Sequence, residues 1–367
     1  MRRLAVAGCI IGSLGINQSA FAVAAGRPII SGGTIKTADR QLLRGCHAHI
    51  LRDVNSTVSR FFTIRSNVQK LKDQAHMNVI RIAFITPGWG GAASPDDGLP
   101  IADSIIANCE AVGGVYAIIN YHGPTAGGAW DLNAFWDKMA QRYKDKTCVL
   151  FGAINELFYS PPADVDRSMA DLYKNHMRKW APNTMIMGIQ EPVEMNSNWG
   201  PYMRDILGPF AGINWSDGKD CFSFHVYGSD KTEQSILGTR TFVPVMCTEF
   251  SFAAEGWTQL NIGGYAMPAE WCERNGVSWI VWQDRKPTDQ LSAVMNYLIP
   301  DAIAKKYAWW TNTSAHSPKT TVNVHTRINA RSGSVAVLVN GRIVLGQAQK
   351  TRMNQLEAWK KIVRMDR

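Results

Sequence analysis

The sequence predicts a (β/α)8 barrel, and three observations carry the prediction. Eight short apolar runs recur over about 270 residues, they are apolar on both faces where a half-exposed strand would alternate, and helical periodicity fills the intervals. The runs are LLRGCHAH (42–49), NVIRIAFI (78–85), GVYAIINYH (114–122), CVLFGAINE (148–156), TMIMGIQE (184–191), CFSFHVY (221–227), VPVMCTEF (243–250) and VSWIVWQ (277–283). Parallel strands covered by helices read this way. Between them, Ala129–Lys144, Asp164–Trp180 and Gly264–Asn275 repeat apolar residues at three and four. The interval between the sixth and seventh runs, about sixteen residues, has room for one short helix. A doubly wound sheet is the competing architecture, but no glycine-rich phosphate loop follows the first run.

The ends of the chain are different in kind. Residues 1–22 carry Arg2 and Arg3, an apolar stretch from Leu4 to Ile16 and an Ala20-Phe21-Ala22 cleavage signal, the pattern of a bacterial-type export leader. A lipoprotein box ending at Cys9 is the rival reading, weakened by the few apolar residues before it. Beyond the leader no apolar stretch is long enough to span a bilayer. Residues 23–311 are then the barrel and 312–367 a basic extension. In that extension TVNVHTRI and SVAVLVNGRIVL alternate like strands, Asn340-Gly341 marks a two-residue hairpin turn, and the last residues read as a basic amphipathic helix.

Charge and cysteine narrow the function classes. The net charge of +9 suggests a nucleic-acid or membrane partner until it is located. Taking away the leader's +2 and the extension's +8 leaves −1 for residues 23–311, so the body is not basic. The expected protein is exported, secreted or periplasmic, monomeric, and binds neither nucleic acid nor, once the leader is gone, a membrane. Six cysteines remain after the leader, an even count that permits disulfides in an exported chain, but no Cys-x-x-Cys pair points to a metal.

In such a barrel the reactive groups collect at the carboxyl ends of the strands, which open onto one face. The second run carries Arg81; the third ends in His122, the fourth in Asn155-Glu156, the sixth in His225 and Tyr227, the seventh in Glu249 and the eighth in Trp282. The two glutamates are 93 residues apart but close the same ring. Paired carboxylates flanking a sugar bond are the usual apparatus of glycoside hydrolysis. At roughly 5 Å and an effective dielectric of about 20 they repel by about 3 kcal/mol, enough to hold one proton on the pair near neutral pH. Arg81 and the Tyr227 hydroxyl favour the charged form of whichever glutamate they reach. Asn155 suits a sugar 2-hydroxyl, and Trp282 offers a flat surface to a pyranose ring.

These pieces, with LLRG, NVIRI, INYH, FGAINE, FSFHVYG, PVMCTEF and SWIVW in order over about residues 40–310, resemble glycoside hydrolase family 5, the cellulase family among the retaining (β/α)8 glycosidases. The resemblance implies Glu156 as acid/base and Glu249 as nucleophile, with Arg81, His122, Asn155, His225, Tyr227 and Trp282 around the cleaved bond and no cofactor. It implies a polysaccharide or oligosaccharide substrate, expected to be a β-1,4-glucan cut internally; mannan, xylan or β-1,3-glucan are the alternatives. Two departures stand out. Leu157 follows Asn155-Glu156 where the family usually has proline, and His47 stands where it more often has asparagine.

Two readings of other classes compete. His47-Ala48-His49 with His225 and Asp284 is part of the ligand set of a metal-dependent hydrolase barrel, although the fifth run supplies no histidine. Trp89, Trp130, Trp199, Trp215 and Trp257 could line a barrel that binds glycan without cutting it, which leaves the opposed carboxylates without a purpose.

Overall fold

A computed structural model describes residues 26–123, 129–156, 169–190, 204–205, 209, 212–226, 233–250, 267–282, 290–311, 324–329, 334–339 and 342–348. The leader expected over residues 1–22, Tyr227, Asp284, Trp199 and Trp257 lie outside these residues, as does the terminal helix expected beyond residue 348. No helix among the described residues is long and apolar enough to cross a membrane.

Eight parallel strands close a barrel: β3 (Arg44–Ile50), β4 (Val79–Ile85), β5 (Tyr116–His122), β6 (Val149–Ile154), β7 (Ile186–Gln190), β8 (Asp220–Val226), β9 (Val245–Phe250) and β10 (Trp279–Val281), with β10 returning to pair β3. Each falls on one of the eight apolar runs. All of β4, β5, β8 and β9 is buried, because one face of each strand fills the barrel and the other meets the helices. Cys46, Ala48 and Ile50 therefore join the helix-side core, while His47, on the opposite face, pairs in register with Arg81. The helices follow their sequence patterns, with Leu132–Tyr143 inside the first segment and Met267–Arg274 inside the third. The second segment holds a π-helical turn at Leu172–Arg178, and the short interval holds helix Glu233–Arg240.

Ahead of the barrel, β1 (Ile29–Ile30) and β2 (Ile35–Lys36) form a small antiparallel pair that the sequence reading missed. Gly32 and Gly33 turn it, with φ of 65° and 74° that disfavour a side chain. Thr34 Oγ1 donates to Val245 O at 2.7 Å, and Ser278 N donates back to that hydroxyl at 3.1 Å, so the pair is bonded to the amino-terminal ends of β9 and β10.

Closure is reinforced by one shielded ion pair. Arg44 on β3 donates from Nε and Nη2 to Glu273 at 2.6 and 3.0 Å, and Trp279 Nε1 donates to the same carboxylate at 2.8 Å. Removing one partner of such a pair strands the other charge, so Glu273→Ala is expected to lower unfolding free energy by about 3 kcal/mol. Urea denaturation with an unchanged slope checks this.

Contacts divide the chain into residues 1–315 and 316–367. The second unit contains a three-stranded antiparallel sheet, β11 (Val324–Asn329), β12 (Ser334–Val339) and β13 (Arg342–Ala348), one strand more than a single hairpin. The pairing of Val339 with Arg342 brackets residues 340 and 341, as the Asn-Gly signal requires. Among the described residues Cys46, Cys109, Cys148, Cys221, Cys247 and Cys272 are buried free thiols.

Candidate active site

The strand ends bring Arg81, Asn155, Glu156, His225 and Glu249 into one cluster. The inward alternation of β4, β8 and β9 aims Arg81, His225 and Glu249 into the mouth of the barrel, and β6 delivers Asn155 and Glu156 just past its last paired residue. Glu156 has φ 34°, a backbone region costly for a side-chain-bearing residue and typical of a functional constraint.

Glu249 divides its two oxygens. Oε1 accepts a close ion-paired hydrogen bond from Arg81 Nη1, and Oε2 lies 3.4 Å from His225 Nδ1. The same Nδ1 is 2.7 Å from Glu156 Oε1, so one imidazole nitrogen bridges both carboxylates. Ligating atoms of Glu156, His225 and Glu249 all lie within 4.8 Å of one another. Both glutamates thus face one gap.

Arg81, fully buried, also donates from Nη2 to Asn155 Oδ1 at 2.7 Å. Because a guanidinium only donates, the Asn155 oxygen must be the atom facing it, which turns the amide NH2 toward other acceptors. A similar deduction fixes His122. Asn120 Nδ2 donates to Gly152 O at 3.2 Å, so its oxygen faces His122 Nδ1 at 3.1 Å and that nitrogen carries the proton. His122 Nε2 is left as the accepting atom.

His47 approaches Thr248 O through Nε2 at 3.1 Å, and a carbonyl only accepts, so Nε2 is protonated. The residue before Glu249 is thereby pinned to β3. Asn120 and Thr248 are parts of the site that the sequence reading did not assign, and His47 was read there only as a departure from the family pattern or a metal ligand; inward register beside Arg81 and His122 was the available signal.

Trp282 touches three imidazoles. His122 stacks on it at 4.7 Å and 9°, His49 lies at 4.3 Å and 36°, and His47 meets it edge to face at 4.3 Å. A face covered by His122 is closed to sugar, so a pyranose could use at most the other one. Tyr227 lies outside the described residues.

The metal-hydrolase alternative loses support here. Among the described residues the one group placed to ligate a metal is Glu156, His225 and Glu249, and it includes neither His47 nor His49. His47 instead directs Nε2 to a carbonyl with the Arg81 guanidinium 3.4 Å away, a neighbour that repels a cation.

Burial, and after it the Arg81 charge, lowers the pKa of all three histidines around Trp282: His49 to about 4, His47 and His122 well below the usual range. A histidine with a folded pKa below its unfolded value binds fewer protons in the folded state. Its contribution is complete above about pH 6.5 and is lost as the pH falls. For His49 the loss spans pH 6.5 to about 4 and amounts to at most about 3 kcal/mol. Denaturant unfolding measured across that window is expected to show declining stability, with a shallower decline in His49→Phe.

A family model described as Cellulase (glycosyl hydrolase family 5) matches residues 43–287, the barrel with all its strand ends. The chain belongs to glycosyl hydrolase family 5. It is accordingly a glycoside hydrolase, and the family resemblance seen in the sequence is sustained. Solved structures similar to this family 5 chain include a cellulase at 19% identity (TM-score 0.57, covering 79% of this chain and 94% of that one). A β-glucanase from Saccharophagus degradans in complex with cellotetraose is 15% identical (TM-score 0.56, 73% and 87% covered). A β-mannanase from Streptomyces thermolilacinus is also 15% identical (TM-score 0.52, 70% and 85% covered). At these identities the likeness establishes the shared barrel. No curated protein sequence matches the chain.

Proposed function

We propose that this family 5 hydrolase cleaves internal β-1,4-glucan linkages with retention of anomeric configuration. The observation that carries the mechanism is the single gap faced by both glutamates, their ligating atoms and His225 Nδ1 all within 4.8 Å. Retaining glycosidases hold their carboxyl groups about 5 Å apart, whereas inverting ones leave room for a water between them at about 6.5 Å or more.

The roles follow from the charges. Arg81 sets its positive charge and a hydrogen bond directly against Glu249, whereas the His225 Nδ1 contact is shorter to Glu156, and this asymmetry makes Glu249 the nucleophile and Glu156 the proton donor. In the first step a carboxylate oxygen of Glu249 bonds to the anomeric carbon while Glu156 transfers its proton to the departing glycosidic oxygen, whose bond to that carbon breaks. In the second, Glu156 takes a proton from water, the water oxygen bonds to the same carbon, and Glu249 leaves as a carboxylate. Esterification removes the Glu249 charge, so Glu156 loses its repulsive neighbour at the moment it must act as a base. The Asn155 amide donates to the 2-hydroxyl as the ring flattens, and His122 Nε2 accepts from a neighbouring hydroxyl. Neither step needs a cofactor.

The glucan assignment is supported by cellulases and a cellotetraose-bound β-glucanase among the similar structures; the mannanase among them makes mannan the second reading. Reducing-sugar release from soluble β-glucan, mannan, xylan and β-1,3-glucan separates them. Highest kcat/KM on β-1,4-glucan is expected, and a larger value on mannan would reverse the assignment. Export to the periplasm or medium is proposed from the leader sequence alone.

A further inference from the structure

We infer that Trp89 is a second sugar platform, on which a hexopyranose of a β-linked glycan stacks beyond the residues flanking the cleaved bond. This rests on the glycosidase reading above and extends it to a subsite. Trp89 is 42% exposed, one of three large hydrophobic side chains so exposed among the described residues. Exposure alone says little. Its position says more. The indole meets His122 at 5.6 Å and 72°, and His122 in turn stacks on Trp282. An aromatic path therefore runs outward from the catalytic rim, with one histidine between two indoles.

The turn that carries Trp89 is built to hold it still. Thr86 N donates to His122 O at 3.0 Å, tying the turn to β5. Trp89 N and Gly91 N both donate to Thr86 O, at 3.0 and 2.9 Å, and Arg52 N donates to Gly90 O at 2.9 Å from the loop after β3. Gly90 takes φ 84°, and a Cβ on Gly91 would lie 1.6 Å from Ile85 O, so two glycines permit a shape that other residues would not. A large aromatic group held in water by a backbone bonded on two sides has little ordering entropy left to lose on binding.

The other described loop tryptophans are used differently. Trp130 donates from Nε1 to Ala93 O at 3.1 Å and lies parallel to Phe135, and Trp215 is partly buried against the core. Hexopyranoses in β-linked chains present flat faces of axial C–H groups, the apolar shape that an indole binds best.

The test compares wild type, Trp89→Ala, Trp89→Phe and Ile64→Ala, an exposed residue remote from this turn in sequence, on oligosaccharides of increasing length from the glycan that the substrate panel shows to be cleaved. The readout is the ratio of kcat/KM for the longest to that for the shortest cleaved chain, which cancels effects at the catalytic centre. Trp89→Ala is expected to lower the ratio about tenfold, Trp89→Phe to recover most of it, and Ile64→Ala to match wild type. An unchanged ratio in Trp89→Ala overturns the inference. If that variant does not fold, unchanged tryptophan fluorescence on adding the longest chain to Glu249→Gln overturns it instead. Failure of wild type to cleave any glycan would sink the glycosidase reading, whereas cleavage with an unchanged ratio sinks only the subsite.

Discussion

Glu249→Gln is expected to lower kcat by about four to six orders of magnitude with little change in fold. The substitution keeps the size of the side chain and its ability to accept from Arg81 but removes the charge that must attack carbon. Glu249→Ala opens space in the same place, so azide can enter and displace the leaving group from the opposite face. The expected result is recovered turnover of an activated aryl glycoside, giving a glycosyl azide of inverted configuration. Glu156→Ala differs in kind. Losing the proton donor penalises a poor leaving group far more than an activated one, so hydrolysis of polysaccharide should fall by about 10²-fold or more while a dinitrophenyl glycoside still forms the ester. Equal losses on both substrates would remove Glu156 from the acid role.

Arg81→Ala is expected to produce the largest combined loss of stability and rate. Arg81 is fully buried and its guanidinium serves Glu249 and Asn155 together. Truncating it leaves Glu249, 3% exposed, without its principal counter-charge, a change that costs about 3 to 5 kcal/mol where one partner of a buried pair is removed. Glu249 loses its counter-charge and the donor that orients it together, so kcat is expected to fall by about 10²-fold or more alongside the stability loss. Arg81→Lys keeps one charge but cannot fork to Glu249 and Asn155 at once, so intermediate losses are expected. Urea denaturation and turnover like those of wild type in Arg81→Ala would show that the pair supports neither the fold nor the nucleophile.

The barrel was legible in the sequence because its strands are buried on both faces, so each appears as an unbroken apolar run with a polar residue where it meets solvent. The carboxylates were legible for the same reason: Glu156 and Glu249 each end such a run, where an unpaired charge would be costly. The β1–β2 pair was not, since two-residue strands are too short for any period to register; Ser31-Gly32-Gly33 was its one signal. Nor could spacing show that His47 holds the carbonyl of Thr248, a contact between strands 201 residues apart. His47 and His49 looked like metal ligands because His-x-His shares a strand face in either case. Deciding between the readings required knowing what stood opposite, and that is a cationic arginine and a tryptophan. In the carboxyl-terminal sheet all three strands had legible patterns and β12 and β13 pair as the Asn-Gly hairpin signal indicated, but nothing in the pattern showed that β11 pairs with β12.

The most direct measurement is the site of covalent labelling by a 2-deoxy-2-fluoro glycoside with a dinitrophenyl leaving group. Fluorine slows both chemical steps and the leaving group restores the first, so the glycosyl ester accumulates and can be located by mass spectrometry of peptides. The account requires one sugar per chain, carried on Glu249, with loss of activity in step with labelling. A sugar found on Glu156 or any other carboxylate, or steady turnover of the reagent with inverted product, would contradict it.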